Sequence, residues 1–363
     1  MEAFLFDEKK KNILMGSISK NSIPFYQFYN VDLNPIMYAY HKYKLKNYQE
    51  YDFNLKILNK TYYDIETFVD PPKFPDPLKA ERPINAIATY NSIENKATLY
   101  YLSEVTAVLT EVGPEARTYK VNEDPSKIPD LVREKYYELC EHNRDYLIED
   151  LTIEVKDYTD EVQLLIDFFL DRRKEQSLFL IGFNSDLFDN PYIVNRIINL
   201  VGENKAKTII SEFGELSKSA GKYYSWPDTQ LVDLLILYKP VDAGGNGFGS
   251  SLPNYKLNTI AEEELGLYKL DLPGGFNENY LNKIVDYLAY NLLDTLLVYF
   301  LDKKLRFLEL QWSLNNYNNS LMSSTIAGRS LIYTVRNNLH YMLNNKALRF
   351  KKLNREVYFP GKM

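Results

Sequence analysis

A run of aromatic and β-branched residues, Tyr62-Tyr63-Asp64-Ile65-Glu66-Thr67-Phe68, carries two carboxylates in its middle. Its composition is that of a strand. In a strand, residues two apart share a face, so Asp64 and Glu66 point the same way while Ile65 points into the core. Side by side on an apolar element, the two charges repel and resist desolvation. Two settings tolerate this. Either the strand lies on a solvated edge, or a divalent cation between the carboxylates removes both penalties.

Two later segments also set acids beside apolar runs. In Gly182-Phe183-Asn184-Ser185-Asp186-Leu187-Phe188-Asp189-Asn190-Pro191-Tyr192 a buried strand runs into a loop and then a helix, with Pro191 suited to its first turn. Asp189 or Asn190 is a natural helix N-cap there. It also lies at the C-terminal end of a strand, where α/β folds place ligands. The third segment, Tyr290-Asn291-Leu292-Leu293-Asp294, falls inside a long helical pattern, and positions i and i+4 bring Tyr290 and Asp294 to one face. An exposed stripe on an amphipathic helix would explain the pair. The surrounding leucines argue instead that Asp294 needs a partner.

Composition narrows the chemistry. The 363 residues hold one cysteine, Cys140, and three scattered histidines, His41, His142 and His340, so disulfides, Cys-rich zinc sites and HExxH-type pairs are excluded. Carboxylates remain as catalytic groups, and hard oxygen ligands favour Mg²⁺ or Mn²⁺. The net charge of −6 does not announce a nucleic-acid binder, which would need local basic patches. No apolar run approaches the roughly 20 residues that span a bilayer, and no secretory signal opens the chain. A cytoplasmic protein without membrane contact is expected.

The chain reads as a small mixed N-terminal domain (1–58), a main domain (59–317) and a helical, basic C-terminal segment (318–363), the last packing on the first. Strands are expected at Thr61–Phe68, Ile84–Tyr90, Ala97–Leu102 and Ser177–Gly182, and an apolar run at Leu231–Tyr238. Helices are expected at Pro129–Glu141, 159–173, 190–201, Leu281–Leu308 and 325–345. Residues 113–157 read as a polar surface insertion, Pro71–Pro77 as irregular, and the glycine-rich stretch 244–249 as a mobile connection that is no P-loop, because no GK[ST] follows. Strands followed by strand–helix alternation give an α/β core with helices on both faces. Tyr40-His41-Lys42-Tyr43-Lys44-Leu45-Lys46 reads as a strand with one solvated face, or as a nucleic-acid contact.

In order, DxE, NxxxFD and YxxxD resemble the signature of the DEDDy exonucleases, and in particular the proofreading domain of family B DNA polymerases. Phe74-Pro75-Asp76-Pro77-Leu78-Lys79-Ala80-Glu81, Phe188–Arg196, Asp233–Lys239 and Leu257–Ala261 also resemble the T-even bacteriophage members; the likeness covers about 60–355. The resemblance implies an RNase H-like α/β fold with a mixed sheet flanked by helices. It also implies two divalent metal ions, Mg²⁺ or Mn²⁺, held by Asp64, Glu66, Asp189 and Asp294. Asp64 would touch both, Glu66 and Asp294 would complete one, and Asp189 would hold the other. Tyr290 would orient the attacking water and Lys269 would neutralise phosphate charge. Phe74 would wedge against unpaired terminal bases, with Asn184 and Phe188 lining the same groove.

The substrate so implied is a single-stranded DNA 3′ end or a frayed primer–template. Neither palm motif of the family, DxxSLYPS-like or YxDTD-like, occurs in the sequence, so no copying of DNA is expected from this chain alone. Either the chain is a piece of a longer polymerase or, as is favoured, a second polypeptide carrying palm, fingers and thumb is the expected partner. The segment 342–363, with a net charge of +5, is a candidate contact for it or for DNA, or a plain solvated tail. The alternatives are a non-catalytic clamping or docking subunit and a free-standing DEDDy exonuclease.

Overall fold

The computed structural model describes residues 59–318, apart from 71–73, 110–111, 114, 220–222, 241–242, 244–246, 248 and 270–271. The expected N-terminal domain, its packing against the C-terminal segment, the stretch Tyr40–Lys46 and the helix 325–345 lie outside the described residues. Asn54–Glu309 form one compact unit, to which the following description applies; the second unit, Met1–Phe53 with Leu310–Met363, falls almost wholly outside the described residues.

In chain order the elements are β1 (Lys60–Thr67), β2 (Ile84–Asn91), β3 (Lys96–Leu102), β4 (Glu104–Ala107), β5 (Arg117–Lys120), α1 (Ile128–His142), β6 (Thr152–Tyr158) and α2 (Glu161–Lys174). There follow β7 (Phe179–Gly182), α3 (Asp189–Val201), α4 (Glu203–Ile210), β8 (Ser217–Ser219), β9 (Tyr223–Ser225), β10 (Gln230–Asp233) and α5 (Leu234–Tyr238). The last are α6 (Leu257–Leu265), α7 (Phe276–Asn282), α8 (Ile284–Leu305) and α9 (Phe307–Asn318). Six strands build a mixed sheet in the order β10-β7-β1-β2-β3-β6. β1, β2 and β3 are antiparallel neighbours, whereas β7 joins β1, β10 joins β7 and β6 joins β3 in parallel.

β1 is therefore an interior strand, and the solvated-edge explanation of its acids fails. Its odd-numbered side chains face α2 and α3: Tyr63 lies 6.3 Å from the Phe168 ring and donates to Asn190 Oδ1 at 2.6 Å. Its even-numbered ones face α8, where Tyr62 meets the Tyr299 ring edge-on at 5.3 Å. Helices thus cover both faces, and the strand buries on both.

Three expectations need correction. Residues 113–157 are not simply a surface insertion. Thr152–Tyr158 is the edge strand of the main sheet, and α1 buries Ile128, Val132, Tyr136 and Cys140 along one stripe. The strand escapes notice because an edge strand keeps its alternate residues (Glu154, Lys156) polar. The expected helix Leu281–Leu308 is broken twice, at Lys283 and at Arg306, whose φ of 56° ends α8 without glycine or proline. The apolar run Leu231–Tyr238 divides at Asp233, the last residue of β10 and the N-cap of α5.

α8 also revises the statement about apolar length. Its 22 residues are long and apolar enough to cross a bilayer, but 72% of its most apolar window is buried inside the unit. It is the core helix. Of the glycine-rich stretch only two positions are described: Gly247 and Gly249 donate to the carbonyls of Lys239 and Tyr238, which ties them to the end of α5.

The far end of α8 is pinned to β1 by one buried acid. Asp302 accepts from Lys60 Nζ at 3.0 Å and from the Tyr62 hydroxyl at 2.6 Å. Asp302→Ala leaves the ammonium without its partner and costs about 3–5 kcal/mol. Asp302→Asn, which still accepts from Tyr62, costs less. Urea denaturation measures both, and an unchanged midpoint for the alanine variant would show that the pair carries no stability.

Candidate active site

β1 meets α8 along a single stripe of polar contacts. Asp64 accepts from Asn291 Nδ2 at 2.9 Å, and the Tyr287 hydroxyl, whose influence works to lower the Glu66 pKa, donates to Asn85 Oδ1 at 3.2 Å. Tyr287, Asn291 and Asp294 stand at i, i+4 and i+7, which is one face of a helix. Across the sheet, Asp64 and Glu66 sit opposite Ala88 and Ala86 of β2, residues too small to fill the space beside the carboxylates. The carboxylate oxygens of Asp64, Glu66 and Asp294 come within 4.8 Å of one another.

Asp189 approaches from the other side of β1. The β1–β7 pairing ends at Tyr62↔Ile181, one residue before β7 gives way to a turn. That turn is tight. A Cβ at Gly182 would stand 2.6 Å from Ser185 Cβ, and Asn184 adopts φ 60°. Buried Asp233 holds the turn, accepting from the backbone N–H groups of Asn184 at 2.9 Å and Asp186 at 3.1 Å. The chain then enters α3 with Phe188 at the N-cap position and Asp189 in the first turn. Neither Asp189 nor Asn190 is the cap, so capping does not explain the acid. The Asp189 carboxylate is buried and feels the charge of Asp64.

Asp64, Glu66 and Asp294 form the close group and Asp189 stands outside it; burial and mutual charge move the protonation of Asp64, Glu66 and Asp189 upward. Burial, then the charge of Asp294, push the Asp64 carboxyl up to about 7 against the opposing pull of Lys269 and Asn291. Burial, with Asp64 and Asp294 next, pushes Glu66 up to about 8. Asp189 is raised well above the carboxylate range by burial and by Asp64, and Asp233 reaches about 7 through burial and Asp186. Lys269 answers part of this charge. Its Nζ lies 2.6 Å from Asp294 Oδ2, and its backbone N–H is fixed by Asn258 Oδ1 at 2.7 Å. Burial works to lower its ammonium pKa, but Asp294, Asp64 and Glu66 outweigh it and the net shift is upward.

Of the other expected site residues, Tyr290 is half-buried, one turn before Asp294 on α8. Asn184 and Phe188 lie half-buried in the turn that precedes Asp189, with the Phe188 ring 5.4 Å from that of Tyr192. Phe74 is 76% exposed and meets only one ring, that of Phe276, among the described aromatic pairs. Sequence reasoning missed Tyr287, Asn291 and Asp233. The first two were legible only as a stripe in register with Asp294, and Asp233 only as an acid interrupting an apolar run.

The donor set suits a hard divalent cation. It consists of carboxylate oxygens alone, close enough to share an ion and costly to leave uncompensated. A model of the exonuclease domain of DNA polymerase family B matches residues 17–260, more than half of the chain. The chain belongs to this family. Its mixed six-stranded sheet with helices on both faces is the RNase H-like α/β fold of that exonuclease domain. Two DNA-directed DNA polymerases are similar to it, from Escherichia phage RB69 and Enterobacteria phage T4. Each is 26% identical, over 166 and 167 residues, which is 44% of this chain. The match takes in 18% of each polymerase, so this family B exonuclease domain spans only a small part of its relatives' length.

Proposed function

We propose that the chain is a 3′→5′ proofreading exonuclease, the part of a family B DNA polymerase that removes terminal nucleotides from single-stranded or frayed DNA. The observation that carries the reading is the convergence of Asp64, Glu66 and Asp294 within 4.8 Å; Asp189 stands outside that group but feels the charge of Asp64. In this reading Asp64 would serve both of two divalent ions, Glu66 and Asp294 one of them, and Asp189 the other. Ions so held stabilise charge on the phosphate and the leaving oxygen and lower the pKa of water.

The chain's own residues do the rest. Asn291 fixes the orientation of Asp64. Lys269, 42% exposed at its side chain, is placed to turn from Asp294 toward an incoming phosphate. Tyr290 orients the water, while Phe74, Asn184 and Phe188 line the path of the strand. Nucleotide incorporation needs palm, fingers and thumb from outside these 363 residues, in our reading from a second polypeptide working in the same cytoplasm. A purely clamping subunit is disfavoured, because grouped buried acids cost stability that a clamp has no reason to bear.

A 5′-labelled single-stranded oligonucleotide tests the proposal. With Mg²⁺ or Mn²⁺ the label should descend through a ladder one nucleotide at a time, releasing nucleoside monophosphates, with no shortening in chelator. Internal cuts from the first time point, or an intact oligonucleotide, would refute the assignment.

A further inference from the structure

Asp64 and Asp189 are the two acids that the proposed function sets on one shared ion, and they stand on different elements. Their neighbours in the chain are bonded to each other. Tyr63, directly before Asp64 in β1, donates its hydroxyl to Oδ1 of Asn190, directly after Asp189 in α3, at 2.6 Å. Both residues are buried, so water does not compete for the bond. The backbone ladder between β1 and β7 ends at Tyr62↔Ile181. Just beyond it, this side-chain bond ties β1 to the segment that carries Asp189.

Each partner is itself held. The Tyr63 ring lies 6.3 Å from that of Phe168, and a Cβ at Gly182 would stand 3.1 Å from it. Asn190 donates from Nδ2 to Asp186 Oδ1 at 3.2 Å and from its backbone N–H to the Ser185 carbonyl at 2.8 Å. An ionised carboxylate only accepts, so Nδ2 must face Asp186 and Oδ1 is left for Tyr63. Asp186 in turn donates its backbone N–H to Asp233 at 3.1 Å. A continuous run of hydrogen bonds therefore leads from Asp233 through Asp186 and Asn190 to Tyr63. It starts at the turn that aims Asp189 and ends on the strand that bears Asp64. The charge of Asp189 also acts on the Tyr63 hydroxyl, so the bond lies close to the acids it spans.

We infer that Tyr63 and Asn190 are a positioning pair that sets the spacing of Asp64 and Asp189, and with it the affinity of the ion those two acids share. Resting on the exonuclease reading, the inference adds to it the side chains that build one ion site and not the other. The group Asp64, Glu66 and Asp294 has separate support, because Asn291 bonds Asp64 from α8. Loss of the Tyr63–Asn190 bond should therefore separate the two ions.

The test uses the full chain with a nucleoside monophosphate, the product, present. Bound Mn²⁺ is counted by electron paramagnetic resonance, urea unfolding is followed in chelator, and hydrolysis of a labelled single strand is measured against Mn²⁺ concentration. Tyr63→Phe deletes one oxygen. It should weaken one of two bound ions by about 10- to 100-fold, the usual cost of losing a hydrogen bond behind a ligand, and leave the other unchanged. Hydrolysis should fall at low Mn²⁺ and recover as Mn²⁺ is raised. The single variant strands Asn190 Oδ1, so its urea midpoint should drop. Tyr63→Phe combined with Asn190→Leu, apolar on both sides, should regain that midpoint but not the lost ion affinity, and it carries the test where Tyr63→Phe alone does not fold. Both ions weakened together, ion affinity regained along with stability, unchanged binding by Tyr63→Phe, or fewer than two ions on the unaltered chain would each overturn the positioning role. An unaltered chain that cuts no strand at any Mn²⁺ concentration would remove the exonuclease reading itself, whereas cutting by the unaltered chain with any of those four results would sink the pair alone.

Discussion

Asp64→Asn is expected to slow hydrolysis by at least about a thousand-fold, roughly 4 kcal/mol of transition-state stabilisation, while the metal-free protein becomes more stable rather than less. The two effects share one origin. Asp64 is the acid that couples the others: it raises both Glu66 and Asp189, and its own carboxyl is pushed up to about 7 by burial and by Asp294. Asparagine keeps the shape and can still accept from Asn291, but removes the charge that repels its neighbours. A structural acid would behave in the opposite way, with stability falling and activity falling only as far as the fold does. Single-turnover hydrolysis and thermal melting in chelator, on the same preparations, separate the two cases. A melting temperature that drops with activity would contradict this account.

The second large effect is on stability against pH. Asp64 and Glu66 keep their protons to about 7 and about 8 in the folded chain, well above the ordinary carboxylate range, and Asp233 does so to about 7. Between about pH 4 and pH 8 the folded state therefore binds more protons than the unfolded state, and stability falls as pH rises. That is the reverse of a salt-bridged carboxylate. A divalent cation needs the deprotonated acids, so its effect should grow as the intrinsic stability declines. At a hundred times its Kd, Mn²⁺ adds about 2.7 kcal/mol. Melting in chelator should thus move down by several degrees from pH 5 to pH 8, and Mn²⁺ should recover the loss at pH 8 with little effect at pH 5. A metal-free melting temperature that climbs steadily over that range would count against grouped, desolvated acids.

Much of the site was legible in the chain because charge in apolar surroundings is costly and therefore informative. The strand period sets Asp64 and Glu66 on one face, and the leucines around Asp294 signal that it is not on a solvated stripe. Which residues accompany them was harder to read. An i, i+4 argument selects Tyr290 as well as any neighbour, whereas the docking of α8 on β1 brings Tyr287 and Asn291 to the acids. Asp233 passed as one polar residue inside the apolar run Leu231–Tyr238, since its work is to hold backbone N–H groups that no sequence displays. The edge strand Thr152–Tyr158 was hidden by its alternating charges. The break of α8 at Arg306 was hidden because the left-handed turn there uses an ordinary residue.

Anomalous diffraction from crystals soaked in Mn²⁺ at neutral pH tests the central claim most directly. Two peaks should appear, one bounded by Asp64, Glu66 and Asp294 and one between Asp64 and Asp189, with the Lys269 ammonium displaced from Asp294. No peak at these carboxylates, with Lys269 still paired to Asp294, would contradict it.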